Sequence, residues 1–260
     1  MRITTWNVNS VRQRLEHLLL FLREEAPDVL CLQELKTTDD LFPRGEIEAV
    51  GYSCAVHGQK GFNGVAILSK RPLEDVRRGL PGADDDEQSR YIEGVISVDA
   101  GVVRVASIYL PNGNPVDSAK YPYKLAWMGR LARHARDLLA LEEPLVLAGD
   151  YNVIPEPRDA ADPAAWEGDA LYLPQTRAEF RTLLALGFTD ALRACDEAAG
   201  RYTFWDYQAG AWQRNKGIRI DHLLLSPEAA DRLAGTTIHK HMRGLEKPSD
   251  HVPVSVRLEM

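Results

Sequence analysis

This chain has no apolar run of 18 residues, only three cysteines, no G-x-x-x-x-G-K-[ST] loop, no proline- or serine-rich linker, no internal repeat and no excess of positive charge. Each absence excludes something. Without a long apolar run there is no transmembrane helix, and the start M-R-I-T-T-W-N lacks the apolar stretch of a signal peptide. The expectation is a soluble cytoplasmic protein with no membrane partner. Cys31, Cys54 and Cys195 are odd in number and lack metal-ligand spacing, which excludes a disulfide scaffold and a cysteine zinc site. Cys31, inside D-V-L-C-L-Q, reads as core. The missing phosphate loop argues against nucleoside triphosphate handling by that route. A net charge of −7 excludes a protein that coats nucleic acid by bulk electrostatics. It leaves nucleic acid open as a substrate approached through a local basic rim. With no linker or repeat, one domain over residues 1–260 is expected.

What is present is a series of short apolar or alternating runs that read as strands: 2–6, 28–32, 64–69, 94–98, 102–109, 144–148, 220–226 and 253–258. Helical spacing marks 10–25 (Leu15, Leu18, Leu19, Leu22), 118–141 (Leu125, Met128, Leu131, Leu138) and 177–186. The acidic cluster 84–87 and the segment 156–163 read as surface loops. Some strands are joined by helical crossovers and others as hairpins. The architecture expected is therefore α/β, with two mixed sheets facing each other and helices outside.

The strands end in polar residues. In L-V-L-A-G-D-Y-N-V-I-P (145–155) an apolar strand is followed by a turn on Gly149, then by Asp150 and Asn152, two positions apart and so on one face of an extended chain. The first strand delivers Asn7 and Asn9, and the second Gln33 and Glu34. The strand at 102–109 delivers Tyr109, with Asn112 in the following L-P-N-G. Asp221 opens the strand at 220, and Asp250 and His251 precede the last one. Singly, an Asp here is a turn former or cap, a His a satisfied structural residue and a Tyr a core ring. Together they offer hard oxygen ligands (Glu34, Asp150, Asp221, Asp250), neutral donors (Asn7, Asn152, Tyr109) and one imidazole. Oxygen ligands without cysteine favour Mg²⁺ or Mn²⁺ over Zn²⁺. A hard cation beside a carboxylate, a histidine and amide donors suits hydrolysis of a phosphate ester.

In T-W-N-V-N-S-V-R (4–11), L-Q-E-L-K (32–36), Y-L-P-N-G (109–113), A-G-D-Y-N-V (148–153), T-F-W-D-Y (203–207), G-I-R-I-D-H-L-L-L-S (217–226) and P-S-D-H-V-P-V (248–254) the chain resembles, along its full length, the exonuclease III family of abasic-site (AP) endonucleases. That family lies in the superfamily that also holds deoxyribonuclease I. The resemblance implies a four-layered α/β sandwich and Mg²⁺, with Mn²⁺ as the alternative. It makes Glu34 the chief metal ligand, with Asn9 nearby, Asp250 assisting and Asn7 beside the metal at the edge of the phosphate cage. Asp150 orients or deprotonates the attacking water. Asn152 holds the phosphate, His251 contacts it and is oriented by Asp221, and Tyr109 completes the cage. Ser10 stands where many members carry Gly, and Asn9 where some carry Asp. Asn114 and Pro115 stand where some place an arginine, and Ile218 where some are aromatic.

The implied substrate is duplex DNA with abasic sites or 3′ ends, acted on by a monomer near the nucleoid that needs no protein partner. In Y-Q-A-G-A-W-Q-R-N-K-G (207–217), Trp212, Arg214 and Lys216 are expected in a DNA-contacting loop. The alternative is a solvated hairpin whose tryptophan packs back onto the surface. Lys36, Arg90, Lys120 and Lys124 are further candidate cations. Phe204, Ile218 and Ile220 match the family's pocket positions and are expected to form a slot for a base-free sugar. Two alternatives are a phosphatase of another branch, acting on phosphoinositides or sphingomyelin, and a catalytically silent binding module. The presence of Glu34, Asp150 and His251 argues against silence.

Overall fold

The computed structural model describes residues 1–99 and 101–260. One sheet contains β1 (Arg2–Asn7), β2 (Val29–Gln33), β3 (Ser53–His57), β4 (Val65–Ser69), β11 (Leu233–Ile238) and β12 (Val254–Leu258), in the order β11-β12-β1-β2-β4-β3. The other contains β5 (Glu74–Arg78), β6 (Tyr91–Val98), β7 (Gly101–Tyr109), β8 (Leu145–Asp150), β9 (Thr189–Asp190) and β10 (Asp221–Leu225), in the order β5-β6-β7-β8-β10-β9. Each sheet has a single parallel pair at its centre, β1 with β2 and β7 with β8. A parallel pair needs a crossover. Helix α1 (Leu15–Glu24) provides the first and α3 (Lys120–Leu139) the second.

Strand parity builds the layers. Val29 and Cys31 of β2 and Val146 and Ala148 of β8 point between the sheets, with Ile3, Val105, Leu223 and Leu225. The alternate residues point outward. Leu30 and Leu32 meet Leu18 and Leu22 of α1. Leu145 and Leu147 meet Trp127 and Leu131 of α3 and Phe180 and Leu183 of α4 (Pro174–Ala185). Each fully buried Leu or Val side chain contributes about 1.5–3 kcal/mol, so both faces of both sheets are held. The result is the expected order of helices, sheet, sheet, helices. Three short α-helices, α2 (Arg44–Glu48), α5 (Ala191–Cys195) and α6 (Pro227–Ala230), and four short 3-10 helices complete the described elements.

Continued past the apolar layer, the same parity gives Asn7, Gln33, Ser107, Tyr109, Asp150 and Asp221, all on the inter-sheet face. A polar bridge marks the change. Thr5 Oγ1 donates to Gln33 Oε1 (3.2 Å), Gln33 Nε2 to Ser107 Oγ (3.0 Å), and Ser107 Oγ to the Leu32 carbonyl (2.9 Å). It ties the sheets together just below the site.

Two local expectations are corrected. Gly149 does not turn the chain: β8 runs on to Asp150, and Gly149 pairs with Ile108 of the parallel neighbour. Its lack of a side chain serves close approach, because a Cβ there would run into the Ile108 carbonyl. The first helix begins at Leu15, not residue 10, because Asn9 and Ser10 have φ of 44° and 86°.

Candidate active site

The ends of β1, β2, β7 and β8, the start of β10 and the segment 249–251 before β12 meet at one edge of the sandwich. Much of the backbone there is left-handed without glycine: Asn9 (φ 44°), Ser10 (φ 86°), Glu34 (φ 52°), Lys36 (φ 54°) and Asn152 (φ 47°). Such residues cost of order 1 kcal/mol or more each and persist where surrounding bonds determine them. Here those bonds include Ser10 N–H to the Glu34 carbonyl (2.8 Å) and Lys36 N–H to the Asn63 carbonyl (3.0 Å).

Glu34, Asp150 and His251 each bring a ligand-type atom within 4.8 Å of the others. Asn7, fully buried, joins the two carboxylates. Its amide donates to Glu34 Oε1 and to Asp150 Oδ2, both at 2.9 Å, while its oxygen accepts the Asn9 N–H (3.0 Å). Asn7 thus bridges the two carboxylates, with its oxygen turned toward the Asn9 backbone. On the far side, Asp221 accepts from His251 Nδ1 (2.9 Å), which leaves Nε2 facing Asp150 Oδ2 at 3.7 Å.

These contacts set the charges. Burial pushes the Asp150 carboxyl up to about 7, against the His251 charge, which lowers it. Burial works against an imidazolium at His251, but the Asp221 and Asp150 carboxylates outweigh it and raise its pKa to about 10. Glu34 is held below the usual carboxylate range: burial opposes this, and the Lys36 ammonium and the Asn7 amide overcome it. Burial, then the charges of Glu34 and Asp150, push Tyr109 well above its ordinary value, so its hydroxyl stays protonated. Arg90 steadies this ring, stacked 4.8 Å from its centre and donating to the Tyr109 carbonyl (3.2 Å).

The oxygen set fits a hard cation. The Lys36 ammonium lies against Glu34 Oε2 (2.9 Å) and Asn9 Oδ1 (2.5 Å), so these two oxygens already converge on a positive charge. Asp250 stands behind, its Oδ1 accepting from Asn9 Nδ2 (3.1 Å).

Asn112 and Asn152 interlock across the loops after β7 and β8. Asn112 Nδ2 donates to Asn152 Oδ1 (3.2 Å), and Asn152 Nδ2 to the Leu110 carbonyl (2.9 Å). Asn114 turns to the neighbouring loop, bonding Asp169 (3.1 Å).

The expected DNA-facing residues divide. Arg214 and Lys216 are exposed. Trp212 is half-buried and packs edge-on against Trp205, centroids 4.9 Å apart. Phe204 is half-buried with its ring against His251 (4.9 Å). Ile218 and Ile220 lie beneath it at 2% exposure each, sealed with Ile154 and Leu171. Of the three slot residues, Phe204 alone presents a face to the site. Lys124 is fully buried and does not join the basic rim.

Two groups had no sequence signal. Arg14 donates to the Asn9 carbonyl (2.6 Å) and the Tyr207 hydroxyl (3.0 Å), bracing the left-handed turn from behind. Arg219, buried in the R-I-D-H block, bonds Asp159 (2.6 Å) and Asp190 (2.7 Å) and meets His222 Nδ1 (3.0 Å), fixing the start of β10.

Known proteins are similar to this chain in sequence and fold. The chain is 32% identical to exodeoxyribonuclease III of Haemophilus influenzae, covering 98% of both. It is 31% identical to the DNA repair nuclease APEX1 of Danio rerio, covering 99% of this chain and 82% of that one. Among solved structures, the 3′ phosphatase NExo from Neisseria, bound to product DNA hairpin, superposes with a TM-score of 0.96 at 40% identity over the whole of both chains. An AP endonuclease from Archaeoglobus fulgidus superposes at 0.95 with 37% identity, again over both chains. The two facing sheets thus form a deoxyribonuclease I-like fold. The Endonuclease/Exonuclease/phosphatase family profile matches residues 4–251, and the chain belongs to that family.

Proposed function

We propose that the chain is a divalent-metal-dependent DNA repair nuclease that hydrolyses the phosphodiester 5′ to an abasic site. By the same machinery it removes nucleotides 3′→5′ from duplex ends and takes phosphate from 3′ termini. Residues 1–260 act as one catalytic domain, working as a monomer on cytoplasmic, nucleoid DNA. The observation that carries this reading is the convergence of Glu34, Asp150 and His251, with His251 Nε2 facing Asp150 Oδ2 across 3.7 Å. A carboxylate base thus stands beside an imidazole donor.

Asp150 takes the proton of the attacking water as the new P–O bond forms and the bond to the 3′-oxygen breaks. His251, oriented by Asp221, donates from Nε2 to a phosphate oxygen. Tyr109 and the remaining N–H of the Asn152 amide donate to the charge that develops on the other oxygens. Glu34 and Asn9, with Asp250 behind, would hold Mg²⁺, or Mn²⁺ in its place. Such an ion supplies charge neutralisation at the phosphate and leaving oxygen. Arg214, Lys216, Arg90 and Lys120 contact the DNA backbone, and Phe204 covers the bare sugar.

The test is a labelled duplex carrying one tetrahydrofuran abasic analogue, run beside an undamaged duplex, with Mg²⁺ or EDTA, using wild type and Asp150→Asn. A single cut 5′ to the lesion, abolished by EDTA and by the substitution, is the expected result. Shortening of both duplexes from the 3′ end, without the internal cut, would make the exonuclease the main activity. No cleavage of either would overturn the repair reading and favour phosphomonoesters or phospholipids as substrates.

A further inference from the structure

Lys124 sits on the second turn of α3 with no exposed surface, an unusual place for a lysine. Its ammonium donates to two backbone carbonyls, Asn152 at 2.6 Å and Asn112 at 3.0 Å. These belong to different loops, one after β8 and one after β7, and their side chains are the interlocked amides described above. The path of the lysine stem is built in. Gly113 has φ of +92°, and a Cβ there would lie 2.7 Å from Lys124 Cδ. Asn152 is itself left-handed, at φ 47°, so its carbonyl direction needs an external partner. Asp150 and Asp169 lie close enough to favour the ammonium, while burial lowers its pKa to about 7.

We propose that Lys124 is a positioning residue, a buried clamp that holds the loops 109–113 and 150–153 in one register through its two carbonyl bonds and so sets the spacing of the Asn112 and Asn152 amides to Asp150. The inference rests on the phosphodiesterase reading of the same site. In a trans peptide the carbonyl and the next N–H point in opposite directions. Drawing the Asn112 and Asn152 carbonyls toward Lys124 therefore aims the following N–H groups away from it. The clamp fixes these peptide planes as well as the distance between the loops.

A simple contribution to stability would not make Lys124 depend on the residues it holds. The experiment is therefore a cycle of wild type, Lys124→Met, Asn152→Ala and the double variant, with kcat measured on a duplex bearing a 3′-phosphate or an abasic analogue. Thermal unfolding is followed in parallel, at temperatures where all four proteins are folded. Lys124→Met is expected to lower kcat about 100-fold with KM changed less than threefold. In the Asn152→Ala background it is expected to lower kcat less than threefold further, since the clamped amide is already gone. If Lys124→Met does not fold, Lys124→Gln, a shorter and uncharged donor, enters the cycle on the same criterion. Equal kcat losses in both backgrounds, or no loss in the single variant, overturn the proposal while leaving the nuclease reading intact. An inactive wild type overturns the reading itself.

Discussion

The two sheets repeat one plan. In each, an antiparallel edge pair leads to a central parallel pair joined by a helix, and an antiparallel pair closes the other side. Asn7 opposite Gln33 ends the parallel pair of one, and Tyr109 opposite Asp150 ends that of the other. The plan is shared and the chemistry is not. The first sheet supplies Glu34 and Asn9, already gathered around the Lys36 ammonium. The second supplies Asp150, Tyr109 and Asp221, and His251, placed just before β12 of the first sheet, reaches across to Asp150 and Asp221. Each half is braced from behind by a buried basic side chain, Arg14 under Asn9 and Lys124 under Asn152. Duplicated topology thus furnishes two rims, one for a cation and one for a phosphate.

That division can be broken one half at a time. The largest effect is expected at Asp150→Asn, a loss of roughly 10⁴-fold in kcat that no increase in Mg²⁺ restores. Glu34→Gln is expected to lose roughly 100-fold at low Mg²⁺ and to recover as Mg²⁺ or Mn²⁺ is raised. Titrating both variants with metal in the duplex cleavage assay checks this, and equal recovery of the two would erase the distinction between the halves.

A smaller effect sharpens the role of the second sheet. With Asp150 at about 7 and His251 at about 10, kcat is expected to rise as pH passes 7, where Asp150 becomes a free base, and to fall as pH passes 10, where His251 loses its proton. Asp221→Asn removes the largest support of the imidazolium. Its alkaline limb is expected to move toward neutrality, with roughly 10–100-fold lower kcat at pH 8. A pH–rate profile of the two proteins decides it, and an unmoved alkaline limb would count against His251 as the charged donor.

The smallest effect separates loop charge from loop packing. Trp212→Ala is expected to change DNA cleavage less than threefold while lowering stability by about 1–3 kcal/mol, because its indole packs on Trp205. Arg214→Ala with Lys216→Ala is expected to leave stability within about 0.5 kcal/mol and to weaken DNA binding, more at low salt than at high. Denaturant melts and binding isotherms at two salt concentrations distinguish the cases.

Legibility in the sequence followed exposure. The eight strands visible as apolar runs occupy the sheet interiors, whereas β3, β5, β9 and β11 are the four edges. Edge strands face solvent on one side and lack the apolar signature: β5 is E-D-V-R-R, and β11 carries a bulge between Leu233 and Gly235. At the site, residues whose position follows from strand parity, such as Asp150 and Asp221, were legible. The destinations of long side chains on helices and loops were not. Lys124 reads as a surface cation and Trp212 as a DNA probe, because a flexible stem or ring can turn either way and only packing decides. Asn7 was placed by sequence, but the direction of its amide depends on two carboxylates from other strands.

The pairing of β1 with β12, from Arg2 opposite Arg257 to Thr5 opposite Val254, has a consequence for the making of the protein. Strand β1 finds one of its two neighbours only in β12, far along the chain, and His251 arrives just before that strand. At roughly 5–20 residues per second, the ribosome holds Asn7 and Glu34 for many seconds before the imidazole emerges. A nascent chain therefore carries Asn7 and Glu34 well before His251, and the site is assembled only when β12 has joined β1.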